Sequence, residues 1–235
     1  MEKVEVAQRV SDFLSSSEKP LTKYPGVTRV LSSTQDDTAL LEWRKRVGEA
    51  EADRIVKEST TIGNSLDALV QKHFNETNFK QENYKSETGY DLYRQLKKPL
   101  LLVEPLALQM KVWSDRLRVM GYLDILGYYD GVLSVMDVKN TRTTKRREYV
   151  EDYFLQTTIY SLCLYDLLGI EVKQIVLLIA DRSNTVPQVF IERTKNHVQT
   201  SIRRIAEYNR TNGNTNTTFG TGSKTDPMPG GKPIS

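Results

Sequence analysis

Apolar positions recur at helical spacing in three stretches near the start of the chain. In residues 3–16, 38–58 and 61–73 they stand three or four positions apart, which is the spacing of one face of an α-helix. Between the first two stretches, Tyr24-Pro25-Gly26 predicts a turn, because proline fixes its φ angle and glycine permits a sharp change of direction. The first part of the chain is therefore predicted to be helical.

The pattern changes after Pro99, where alternating and continuous apolar runs replace the helical period. It predicts three strands, a helix, two more strands and a last helix, at 100–110, 117–129, 132–139, 149–168, 172–180, 186–192 and 194–208. Residues 75–97 are polar and give no assignment. Residues 209–235 contain too little apolar surface for a core and predict a disordered tail. The fold class that follows is α/β (α+β mixed), with a mixed central sheet flanked by helices.

Composition excludes several kinds of site. One cysteine, Cys163, rules out an internal disulfide and a four-cysteine metal centre, and two histidines leave little for a histidine-based site. Catalysis would then depend on carboxylates, lysine or arginine, with a hard metal that prefers oxygen ligands. The longest apolar run, 175–180, is far shorter than the roughly 20 residues of a membrane span. The net charge of +3 is compatible with nucleic-acid binding without requiring it.

Asp130-Gly131 lies between two alternating apolar runs and predicts a two-residue hairpin turn. Tyr129 would then face Val132, and counting back along both strands places Asp124 opposite Asp137, with Cβ atoms roughly 4.5–5.5 Å apart. Lys139 would project from the same face. Two opposed carboxylates in an apolar hairpin require a compensating cation, which Lys139 and a divalent metal would supply. The alternative is a structural Asp–Lys pair, with Asp124 on a frayed edge.

A set of spaced residues resembles the GxxD…DxK…QxxxY signature of RecB-like PD-(D/E)XK nucleases: Gly121, Asp124, Asp137, Lys139, Gln156 and Tyr160. The stretch 25–31 and a tryptophan-bearing helix near position 43 are similar to the mitochondrial genome maintenance exonucleases and their phage-encoded relatives. The resemblance covers about 25–195. It implies a restriction-endonuclease-like αβββαβ core within one nuclease domain, 1–208, made of an N-terminal helical part, 1–60, and a catalytic core, 61–208.

The resemblance also implies roles for individual residues. Asp124 and Asp137 would hold Mg²⁺ or Mn²⁺ together with the backbone carbonyl of Val138, and Lys139 would orient the attacking water. Glu104, on the first core strand, would support the metal shell, and Gln156 would steady the site. Where relatives carry a histidine ligand on the preceding helix, this chain has Asp67. It is either a replacement ligand or an ordinary helix residue facing solvent.

Basic residues next to the signature are candidates for nucleic-acid contact. They are Arg142, Lys145, Arg146 and Arg147, with Tyr160 on the following helix, for which packing in the core is the alternative. The cluster either contacts phosphates beside the cleft or is a solvated face. Arg44 and Lys45, beside Trp43, form a second candidate that would grip single-stranded DNA by charge and stacking. Packing of Trp43 in the core is the interpretation we favour for that residue.

The resemblance implies a metal-dependent DNA exonuclease acting on single-stranded DNA with free ends, in replication, repair or recombination. The alternatives are a structure-specific endonuclease and a DNA-binding module whose catalysis has decayed. The expected partner is DNA, with no membrane and no nucleotide cofactor, since 220–225 lacks the spacing of a phosphate-binding loop. No signal or transit peptide is evident, so we expect an intracellular protein, in the host cytoplasm if a phage encodes it.

Overall fold

A computed structural model describes residues 1–75 and 87–212. The helices are α1 (Lys3–Ser15), α2 (Val27–Ser32), α3 (Thr38–Val47), α4 (Glu49–Asn75), α5 (Glu87–Leu100), α6 (Glu151–Leu168) and α7 (Val198–Thr211). The strands are β1 (Val103–Ser114), β2 (Val119–Tyr129), β3 (Val132–Thr141), β4 (Gln174–Asp181) and β5 (Gln188–Arg193). Short 3₁₀ turns precede α6 and α7, at Arg147–Val150 and Thr194–Asn196.

The five strands form one mixed sheet in the order β1-β2-β3-β4-β5. Neighbours are antiparallel except β3 and β4, which are parallel and joined through α6. A parallel pair needs such a crossover connection because the chain must return to the same end of the sheet. The predicted α/β class, with a mixed sheet flanked by helices, is confirmed.

Each face of the sheet is covered by its own group of helices. One face packs against α4 and α5 through Leu66, Leu69 and Leu96. The other packs against α6, with α1, α2 and α7 around it, and Phe154 and Ile159 of α6 lie at its centre. Both faces are apolar, which explains why 174–181 reads as a continuous apolar run rather than an alternating one.

The helical region differs from its prediction in where the helices break. The expected interruption between 58 and 61 is absent: Thr60 and Thr61 bond back to carbonyls four residues earlier, and α4 runs straight through them. The break is at Gly48 instead, whose φ of +87° lies in the region that favours glycine. A helix not predicted from the polar stretch, α5, stands between α4 and β1.

Three other expectations need correction or lie outside the description. Helix α7 continues to Thr211, so the predicted tail does not begin at 209. Residues 213–235 are outside the described part of the chain, as is the 220–225 stretch. Trp43 is half-buried, and α3 has no buried residue, so packing of Trp43 in the core is wrong. Within the described residues, no helix is both long and apolar enough to cross a membrane.

Candidate active site

The predicted hairpin turn is confirmed, and it sets the register of β2 and β3. Asp130 and Gly131 both have positive φ, +48° and +76°, as a two-residue turn of the primed type requires. Pairing then runs without a slip from Tyr129–Val132 to Ile125–Met136. It ends there, one residue before the predicted pairing of Asp124 with Asp137.

The strands separate because a side chain takes a ladder hydrogen bond. In this register the hydrogen-bonded pairs alternate along the hairpin, and the next would join the Val138 N–H to the carbonyl of Leu123. The Val138 N–H instead donates to Oδ2 of Asp124, 2.8 Å away. Asp124 therefore lies in an opening between β2 and β3, and the predicted cross-strand pair is replaced by a carboxylate–backbone bond.

Asp137 is the most buried charged group of the opening. Its exposed fraction is 1%, and Nζ of Lys139 lies 2.7 Å from both of its carboxylate oxygens. Gln156, on the facing side of α6, donates to Oδ1 at 3.3 Å. The predicted shared face of Asp137 and Lys139 is confirmed, and Gln156 joins them from a second element.

Asp67 reaches the same cluster from α4. Burial, together with the negative charge of Asp124, raises its pKa to about 7, while Lys139 opposes the shift. Burial likewise raises the pKa of Asp137, which Lys139 lowers and the charges of Asp124 and Asp67 raise. Burial lowers the pKa of Lys139, but Asp137 and Asp124 outweigh it and keep the amine protonated. Four ionisable groups thus lie within electrostatic reach of one another.

The donor set fits a hard divalent cation in kind and in charge. Three carboxylates face one ammonium, so the ionised cluster carries two excess negative charges, which is costly to bury. Oδ2 of Asp137 is buried and contacts the Lys139 ammonium at 2.7 Å, but it accepts no hydrogen bond of regular geometry from a described residue. However, no three acidic, histidine or cysteine side chains in 1–75 and 87–212 have the spacing of a closed metal cage. The site offers two neighbouring carboxylates, with Asp67 as a third group on the adjacent helix.

Gly121 and Tyr160 connect two parts of the sequence signature. A Cβ added at Gly121 would lie 2.6 Å from the Tyr160 ring, so only glycine permits this approach of β2 to α6. Tyr160 accepts a hydrogen bond from Gln156 at 3.2 Å. Its ring is 3% exposed, and burial raises the pKa of its hydroxyl. The prediction that Tyr160 contacts nucleic acid is therefore contradicted: the ring packs beneath the site.

Glu104 lies away from the cluster. Its side chain is 66% exposed and forms an ion pair with Lys3 at 3.1 Å. It faces Tyr128, four residues along β2 from Asp124, a separation of about 13 Å at the usual rise of a strand. The expected support of the metal shell by Glu104 is contradicted.

Gln109, which sequence reasoning missed, occupies the position on β1 opposite Asp124, and its amide donates to Oδ1 of Asp124 at 3.4 Å. To find it, the register would have had to be counted across the connection 115–118, where Arg118 has a φ of +58°. No residue in that connection indicates a left-handed conformation.

The predicted basic residues fall into two groups. Three of them are held by carboxylates: Arg142 by Glu58, Arg147 by Glu151 and Glu192, and Arg44 by Glu49 and Asp53. The guanidinium of Arg147 also lies over the ring of Phe154. Lys45 is exposed, Lys145 is half-buried, and Arg146 is exposed with a long ion pair of 3.8 Å to Glu148. The second group is less constrained and is the one more available to meet a phosphate backbone.

An unpredicted ion-pair cluster ties α4 to the sheet. Arg182, just after β4, bonds Glu58 at 2.8 Å and Asn140 at 3.1 Å, while Arg142, just after β3, bonds the same glutamate. The cluster fixes α4 against the carboxyl ends of two strands, and Asp67 projects from that helix. Arg182 and Glu58 therefore help to set where Asp67 lies.

Comparisons with known proteins give matches among solved structures. No protein-family model and no curated protein matches the chain. The fold is similar to the crystal structure of SSO0001, at 12% sequence identity and a TM-score of 0.44, over 89% of this chain and 85% of that chain.

Proposed function

We propose that the chain is a metal-dependent DNA nuclease of the RecB-like PD-(D/E)XK type. The observation that carries this proposal is the buried Asp137–Lys139 pair, which meets Asp124 and Asp67 where β2 and β3 separate. A lysine against a buried acid, beside two more carboxylates, is costly as a purely structural device. The same groups are the ones that phosphodiester hydrolysis needs: ligands for a hard cation and an amine beside them.

Each residue of the cluster has its own proposed role. Asp124, Asp137 and the carbonyl of Val138 would hold the ion, with Asp67 as a further ligand. When bound, Mg²⁺ or Mn²⁺ supplies Lewis-acid polarisation of the phosphate and a more acidic water. Lys139 places its ammonium beside that position, orients the attacking water and offsets charge on the scissile phosphate. Gln156 holds the carboxylate of Asp137 in place.

Single-stranded DNA with free ends is the proposed substrate, and this part rests on the resemblance of the sequence signature. The test compares linear and circular single-stranded DNA in the presence of Mg²⁺. We expect the linear strand to be degraded and the circle to persist. Rapid cutting of circles would replace the exonuclease by the endonuclease alternative.

The catalytic assignment has its own control. Lys139→Ala should abolish cleavage, as should EDTA, whereas Lys195→Ala should not. Lys195 is exposed and follows β5, whose last residue pairs with Gln174 at the opposite end of β4 from the Lys139 partner Ile179. Equal cleavage by Lys139→Ala and wild type would remove Lys139 from the chemistry.

One observation favours the non-catalytic alternative, a DNA-binding module. It is the lack of a closed three-ligand cage among the described residues. A ligand that binds only the folded state raises the unfolding temperature. A nuclease should therefore be stabilised by Mg²⁺ or Mn²⁺, while a module without catalysis should be stabilised by DNA alone.

A further inference from the structure

Gln109 has an unusual backbone conformation for its place in the fold. Its φ is +47°, although it lies in the middle of β1. The other described non-glycine residues with positive φ, Arg118 and Asp130, lie in the two hairpin connections. A side chain larger than glycine disfavours this region because Cβ crowds the backbone. Such a conformation persists only where the surroundings enforce it.

The strain coincides with a change of face in both strands. Leu108 pairs with Ile125, and Met110 pairs with Leu123, while Gln109 and Asp124 between them are outside the ladder. Leu108 and Ile125 pack toward α4 and α5. Met110 and Leu123 pack toward α6. In a regular strand, residues two apart share a face, so β1 and β2 both change face at Gln109 and Asp124.

The change of face determines how the Asp124 carboxylate is held. Its Oδ1 accepts from the Gln109 amide at 3.4 Å, and its Oδ2 accepts from the Val138 N–H at 2.8 Å. The two oxygens are thus held from the two neighbouring strands, β1 and β3. Gln109 does this with a neutral amide, so it adds no positive charge that would compete with a cation beside the carboxylate.

We infer that Gln109 is a positioning residue, which fixes the orientation of Asp124 toward a divalent cation. The inference rests on the proposed function. A residue in contact with a metal ligand typically changes metal affinity or activity by about 10–100-fold when it is replaced. The left-handed backbone at Gln109 then lowers stability locally but positions the amide. Replacing Gln109 to relieve the strain should therefore weaken metal binding rather than improve it.

Two variants separate positioning from folding. Gln109→Met keeps the length of the side chain and removes the amide, while Gln109→Gly removes the amide and also relieves the backbone. Mn²⁺ affinity is measured from the electron paramagnetic resonance signal of free Mn²⁺, alongside kcat, KM and the metal-free unfolding temperature. Gln8→Met is the matched control, because Gln8 makes the same amide–carboxylate bond with Asp12 on the exposed side of α1.

We expect both Gln109 variants to bind Mn²⁺ about 10–100-fold more weakly than wild type and to lose kcat by a similar factor. The metal-free unfolding temperature should be unchanged or higher for Gln109→Gly, and Gln8→Met should match wild type in every measurement. Wild-type Mn²⁺ affinity in both variants would overturn the inference and leave the nuclease proposal standing. A loss that simply follows a lowered unfolding temperature would make Gln109 structural. Failure of wild type itself to bind Mn²⁺ or cleave DNA would refute the proposed function.

Discussion

The two ends of the β2–β3 hairpin are built from the same pair of strands on opposite principles. At the turn end, Tyr129 pairs with Val132, the turn residues adopt the conformation that their types favour, and the ladder is continuous. At the open end, Asp124 takes a ladder hydrogen bond, Asp137 is buried, and its partner is a lysine rather than an apolar side chain. Local rules explain the first end, whereas groups from α4, α6 and β1 complete the second.

The two ends therefore differ in how much they contribute to the free energy of folding. A ladder continued through Asp124 would join backbone to backbone and would allow apolar residues at both positions. The open end instead holds desolvated charges, whose burial opposes folding unless a counter-ion offsets it. We therefore expect changes at the turn end to alter stability without altering chemistry. Changes at the open end should alter chemistry, and some of them should raise stability.

The largest contrast is expected from one chemical change made at each end. Asp137→Asn should lower kcat on Mg²⁺-supported DNA cleavage by roughly 10³-fold, because the neutral amide neither binds a hard cation well nor balances Lys139. Asp130→Asn is the same substitution at the turn end, where asparagine tolerates a positive φ. It should leave kcat unchanged in a single-turnover assay. Equal losses in the two variants would mean that the open end is not the site of reaction.

The turn end was predictable because its determinants are adjacent in sequence. Asp130-Gly131 between two apolar runs specified the turn, and the turn specified the register as far as Ile125–Met136. The same counting brought Asp137 and Lys139 onto one face. It failed at Asp124, because whether a ladder continues depends on a competing side-chain acceptor that no local pattern reveals.

The partners of the open end were less predictable for the same reason. Gln109 and Glu104 lie on one strand, yet only the fold of the 115–118 connection decides which of them stands opposite Asp124. Asp67 was suggested by the resemblance, and its approach depends on α4 running unbroken through 59–61. The basic residues show a third limit: sequence gives their charge but not the acids, such as Glu58, that hold them.

Asp67, at the open end, should make the stability of the whole protein depend on pH. Burial raises the pKa of Asp67 from 3.8 to about 7. Between these values the folded state retains a proton that the unfolded state has released, so the free energy of unfolding falls as pH rises from about 4 to about 7. The expected loss is roughly 2–4 kcal/mol for metal-free protein, and it should level off above the folded pKa.

Urea unfolding in EDTA at several pH values measures this dependence. Asp67→Asn should reduce the slope, leaving the part that the raised pKa of Asp137 contributes, and should make the protein more stable than wild type at pH 8. Asp12→Asn, a change of an exposed carboxylate on α1, should leave the curve as it is. A free energy of unfolding that rises steadily from pH 5 to 8 in the wild type would contradict a raised pKa of Asp67.

The contact between Gly121 and Tyr160 should be the next most sensitive feature of the open end. Gly121→Ala places a methyl group 2.6 Å from a buried ring, and overpacking of this kind costs about 1–3 kcal/mol. The Tyr160 ring would have to move, and with it Gln156 and its bond to Asp137, so kcat should also fall. Gly26→Ala is the control, since nothing lies closer than 4.0 Å to the added carbon. Urea unfolding and kcat together test this: a stable Gly121→Ala with normal activity would show that the ring is free to shift.

The smallest effect is expected at the turn itself, from Gly131→Ala. Its φ of +76° lies where a Cβ crowds the backbone, although no other atom lies within 4 Å of that position. The cost should be about 1 kcal/mol, and Gly131→Asn should cost less because asparagine tolerates this region. Since both ends share β2 and β3, a rigid hairpin would transmit the strain to Asp124, whereas a ladder of five pairs should absorb it. Urea unfolding should therefore show the loss while kcat and the Mn²⁺ affinity stay at wild-type values. If kcat fell in Gly131→Ala and recovered in Gly131→Asn, the turn would be setting the geometry of the opening, and the two ends would form one unit.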